Sequence, residues 1–88
     1  MNITEAKRTF NIGYHVMHKK HNQSYTHGIV SEVRNRDSYI EVWSYWGRTL
    51  KLALEHRAKK SCRYWTDPDK LKVVGKTLKL NNLILGGE

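Results

Sequence analysis

The run from Tyr39 to Trp46, YIEVWSYW, constrains the fold more than any other stretch of the chain. It is built from β-branched and aromatic residues, which suit a pleated, half-buried surface. Successive side chains of a strand point to opposite faces. With Ile40, Val42, Ser44 and Trp46 turned to a core, Tyr39, Trp43 and Tyr45 share the opposite face with Glu41. Two readings of that second face stay open. Its aromatics either stack on bases or cage a methylated lysine, or else a small curved sheet packs both faces and Trp43 is covered. Trp65 reads as core.

Other stretches are consistent with a β fold. Tyr14 to His18, opened by Gly13, alternates like a strand, and Tyr25 to Arg34 is a second candidate with Gly28 inside it. The segment Lys19–Ser24 is a polar loop, and Asn35–Ser38 predicts a hairpin turn. Leu50, Leu52 and Leu54 alternate as a half-buried strand would, but Leu50–Lys60 also holds good helix formers, so strand and helix are both open there. Asp67-Pro68-Asp69 starts a turn that tightens into a short helical loop before Leu71–Val74. Residues 1–10 form a helical turn or arm anchored through Phe10, and Thr77–Leu85 is an added strand or a docking tail. Five short strands divided by tight turns predict a mainly β domain, a small five-stranded barrel. Its expected parts are an arm (1–10), the barrel (11–75) and a C-terminal extension (76–88).

A chain of 88 residues has room for one domain and one modest core. No stretch approaches the roughly 18 apolar residues needed to cross a bilayer, so no membrane partner is expected. Nothing at the N-terminus resembles a secretory signal, and Cys62 is the only cysteine. No intrachain disulfide can form, and a cytoplasmic setting is expected. Sixteen Lys+Arg against eight Asp+Glu give a net charge of +8. Such a field concentrates anions, and nucleic acid is the foremost anionic partner.

Residues 12–46 resemble the KOW motif, the SH3-like barrel segment of NusG-type transcription factors and several ribosomal proteins. The resemblance rests on Gly13-x-x-Val16, Gly28-Ile29-Val30-x-x-Val33 and Tyr39-Ile40-x-Val42, with the aromatic-Gly-Arg turn Trp46-Gly47-Arg48. The later Trp65, Pro68 and Leu71-x-Val73 look like the closing turn and last strand of such a barrel. The resemblance implies an SH3-like fold and a nucleic-acid partner.

In a barrel of that kind Lys19, Lys20, His21, Arg34, Arg36, Arg48, Arg57, Lys59, Lys60 and Arg63 would fall in loops and strand ends, several on one rim. Their contacts to phosphate would make binding salt-dependent. The bland alternative is a charged surface that keeps a small domain soluble. Tyr39, Trp43 and Tyr45 are the candidate aromatic contacts. His15, His18 and His21 are spaced by three, which suits metal ligation only on a helix. No metal site and no cofactor are expected. Cys62 has no arguable base or oxyanion donor, so no enzyme is expected. The expected function is low-specificity binding of double-stranded DNA, favoured over RNA, in transcription regulation or chromosome organisation, in a bacterium or bacteriophage. The competing expectation is a protein-interaction module that grips a host protein or peptide through the Trp43 face.

Overall fold

Three of the alternating stretches form strands, Leu50–Leu54 does not, and five strands in all join one antiparallel sheet. A computed structural model describes residues 2–20 and 25–76. In chain order the elements are helix α1 (Ile3–Thr9), strands β1 (His15–His18), β2 (His27–Arg36) and β3 (Tyr39–Gly47), helix α2 (Leu50–Lys59), strand β4 (Arg63–Thr66), a 3₁₀ turn (Pro68–Lys70) and strand β5 (Leu71–Gly75). The sheet order is β4-β3-β2-β1-β5. This is the mainly β, five-stranded arrangement expected, with α2 added between β3 and β4. The candidate residue His21, the rest of the loop to Ser24, and the candidate strand or tail from Thr77 onward lie outside the described residues.

β2 and β3 make the longest ladder, from His27 opposite Gly47 to Arg36 opposite Tyr39. The turn between them is Asp37-Ser38, two residues shorter than the expected Asn35–Ser38 loop, because Asn35 and Arg36 still pair with β3. Asp37 takes φ 38, a left-handed conformation that aspartate tolerates better than most residues. The register shifts between Val30 and Glu32, where Ser31 is an extra residue. That bulge lets Val30 and Val33 both face the core although two residues separate them.

The main core lies between the sheet's inner face and α1. It comprises Ala6, Phe10, Val16, Val30, Val33, Val42, Trp46 and Leu71. Asn2 caps α1, its side chain accepting from the Glu5 amide at 2.8 Å and donating to the Glu5 carboxylate at 3.2 Å. Phe10 is buried, so the expected anchoring of the N-terminal segment holds. Trp46 is the largest fully buried side chain. Replacing such a residue by alanine typically costs about 3–5 kcal/mol.

Leu50–Lys59 is helix, which settles one open alternative against the strand. Thr49 caps it, its hydroxyl accepting from the Leu52 amide at 3.1 Å. Ala53 and Leu54 pack with Leu50 on Ile29, on the outer side of the sheet. A strand would instead have pointed Leu50, Leu52 and Leu54 to one face. The fourth strand is Arg63–Thr66, not Leu50–Leu54. Trp65 is accordingly not core. Among the described residues β4 pairs with β3 alone, and Trp65 lies opposite Trp43 on the outer face, 46 % exposed.

Candidate nucleic-acid interface

The outer face of the sheet has two halves. α2 covers the half that contains Ile29. Beyond the Ser31 bulge, β2 carries Glu32, Arg34 and Arg36, paired across to Trp43, Glu41 and Tyr39 of β3. Arg63 and Trp65 of β4 complete this second half, opposite Tyr45 and Trp43.

Trp43 forms the floor of that half. The Arg34 and Arg63 guanidiniums lie over its ring, 5.0 and 4.8 Å from the centroid. Contacts of this kind contribute about 0.5–1 kcal/mol at exposed sites. Glu32 holds both arginines. It accepts from Arg34 Nε at 2.8 Å and Nη2 at 3.1 Å, and from Arg63 Nη2 at 2.7 Å. The hydrogen bonding of Arg34 keeps the Glu32 carboxyl below the usual carboxylate range and raises the Arg34 guanidinium in turn. Arg63 Nε also donates to the Ser31 hydroxyl at 3.0 Å, which itself donates to the Trp43 carbonyl at 3.1 Å. Glu41 shares the outer face with these aromatics, as expected, but is buried there. Its Oε1 accepts from Arg36 Nε and from Trp43 Nε1, each at 3.1 Å.

Trp43 is therefore half-buried beneath arginines rather than open. The exposed aromatic pair on this face is Tyr39 and Trp65, with ring centroids 5.6 Å apart and planes inclined by 31°. Tyr45 is half-buried. Trp65 was not expected here, though the β-forming Tyr64-Trp65-Thr66 triplet was a signal for a strand. A second exposed pair, Tyr25 and Tyr64, sits 5.2 Å apart, and a hydrogen bond with Tyr25 raises the Tyr64 phenol.

The remaining basic candidates do not gather on this face. Lys19 and Lys20 follow β1 and line a cleft of about 360 Å³ with His18, Asp69 and Lys70. The Lys19 amide donates to the Lys70 carbonyl at 2.9 Å, which fixes that corner. Arg48 follows Gly47, opposite the start of β2. Lys59 and Lys60 are exposed at the C-terminal end of α2, where Lys60 adopts φ 57. Arg57 is only half-exposed, and its Nη1 is buried without a partner among the described residues. With β-strands rising about 3.3 Å per residue, the ends of β2 lie about 30 Å apart. Arg36 is at one end, and Arg48 and the Lys19–Lys20 corner are near the other. The Lys19–Lys20 corner also meets the 3₁₀ turn, whose Asp69 lines the cleft beside Tyr39 as well.

His15 and His18 do not converge on a shared ligand. His15 Nε2 lies 2.8 Å from His27 Nδ1, and burial, reinforced by His27, lowers the His15 pKa to about 4. His18 stacks on Trp46 at 4.5 Å, and burial followed by Lys70 lowers its pKa. No group of three or more His, Cys, Asp or Glu side chains able to hold a metal ion occurs among the described residues. Cys62 takes φ 54, and its carbonyl accepts from the Trp46 amide at 2.9 Å. No helix among the described residues is long and apolar enough to cross a membrane.

The chain matches no protein-family model, no curated protein and no solved structure.

Proposed function

We propose that the protein is a non-enzymatic nucleic-acid-binding domain that grips phosphates with little sequence preference. One observation carries this reading. Arg48, Lys19, Lys20, Lys59 and Lys60 are exposed and form no ion pair among the described residues, in a chain of net charge +8. Unpaired surface cations of this kind supply sequence-independent affinity by releasing counterions from the phosphate backbone. Arg34, Arg36 and Arg63 contribute less to such contacts, since Glu32 and Glu41 already hold them. Duplex DNA is a ligand of this reading, and regulation of transcription or chromosome organisation is the role proposed, in keeping with the KOW-type resemblance. The competing reading, a peptide or methyl-lysine grip through Trp43, has less support because two guanidiniums already occupy that ring.

The test is fluorescence anisotropy with labelled duplex DNA, duplex RNA and single-stranded DNA at two salt concentrations. Binding should weaken steeply with salt. Lys59→Glu with Lys60→Glu should reduce the salt slope by about two, near one for each phosphate no longer gripped. The absence of salt-sensitive binding to every ligand would end the reading.

A further inference from the structure

The Tyr39–Trp65 pair stands exposed on the outer face of the sheet. Each residue is nearly half exposed, 48 % and 46 %, on the face opposite the main core. Aromatic rings held at a surface with their faces accessible are stacking surfaces, and every nucleobase offers a π-face to them. The charge around the pair is divided: on one side Arg34, Arg36 and Arg63 outnumber their partners Glu32 and Glu41 by three to two. Arg36, directly opposite Tyr39, is half-exposed, whereas the Glu41 carboxylate that it touches is buried. Arg34 and Arg63 flank the adjoining Trp43. On its other side Tyr39 borders a cleft lined by Asp37, Asp67 and Asp69, which repels a polyanion and leaves the arginine side as its path.

A fully paired duplex cannot use such a surface, because its bases already stack on one another and must be extruded at a cost of a few kcal/mol. A strand with unpaired bases can. Resting on the nucleic-acid reading above, we infer that Tyr39 and Trp65 form a base-stacking platform, and that the preferred ligand is single-stranded nucleic acid, whose backbone leaves the platform on the arginine side. The exposed lysines at the end of α2 and beside the 3₁₀ turn supply phosphate contacts that leave strandedness unread.

The test uses the full chain and four labelled probes of equal length: single-stranded DNA, single-stranded RNA, blunt duplex DNA, and a DNA strand whose central sugars lack bases. The single strands should bind at least ten-fold more tightly than the duplex or the abasic strand at one salt concentration. Trp65→Ala should weaken single-strand binding by about ten-fold to a hundred-fold, the range typical when one base loses its stacking partner. Trp65→Phe should restore most of it, and binding should quench tryptophan fluorescence in the wild type. Circular dichroism melts of each variant confirm folding, and Tyr39→Leu is a second probe of the same platform. Equal affinity for duplex, abasic and single strands, with both variants unchanged, would overturn the stacking platform while leaving the phosphate-binding reading intact. No salt-sensitive binding to any of the four would overturn both.

Discussion

Ser44 sits on the inner face of β3 with its hydroxyl buried and without a hydrogen-bond partner among the described residues. An unsatisfied buried polar group costs about 1–3 kcal/mol. Ser44→Ala removes it with little change of volume, so the variant should melt several degrees higher in a calorimetric scan, by the scaling for a domain of this size. Two glycines behave in the opposite sense. A Cβ at Gly28 would stand 3.0 Å from three atoms of the buried Trp46 ring, and one at Gly47 would stand 2.6 Å from the Ala53 amide nitrogen. Gly28→Ala should cost about 1–3 kcal/mol of overpacking, read from urea midpoints, and Gly47→Ala more, because backbone cannot yield as a side chain does. At this scale the sequence was partly legible. The alternation of Tyr39–Trp46 placed Val42, Ser44 and Trp46 inward correctly. It could not place Trp65, whose exposure depends on where β4 joins the sheet.

α2 shows how a short element can satisfy two patterns at once. Leu50, Leu52 and Leu54 fit a period of two, whereas Leu50, Ala53 and Leu54 fit a helical turn. The capping residues decide the matter: Thr49 satisfies the Leu52 amide, and Lys60 ends the helix in a left-handed conformation. Thr49→Ala should cost about 1 kcal/mol in equilibrium unfolding. Lys60→Gly should stabilise the fold by about 0.5–1 kcal/mol, since glycine takes that conformation without strain. The same variant removes one surface cation, so it should lower nucleic-acid affinity and flatten the salt slope by about one. Stability and binding thus move in opposite directions at one position, and no general folding defect produces that pair of results. The candidate site was legible as a set of residue types but not as an arrangement. Glu32 and Glu41, which hold three arginines, were invisible as partners because the pairing depends on strand register.

For the molecule as a whole, pH reports on His15 and His18, two of the partly buried histidines. An unfolded histidine takes up a proton near its ordinary value of 6.5, whereas folded His15 does so only near 4, and His18 is shifted the same way. The unfolded state therefore binds more protons as pH falls. The histidine contribution is fully present above 6.5 and is lost between there and about 4. Thermal melting should drop between about pH 7 and pH 5, and His15→Leu should lessen that drop. A melting temperature that stays level across this window in the wild type would contradict the burial-driven shift.

The bulge at Ser31 divides the outer face into a part buried under α2 and a part left to charged and aromatic side chains. Labour is split along a single strand, one stretch spent on cohesion and the next on contact with the outside. Substitutions at Arg34, Arg36, Tyr39 or Trp65 should then add independently to those at Ile29 or Leu54, as changes at separate sites do. Residues on that outer stretch can change without the fold having to be solved again.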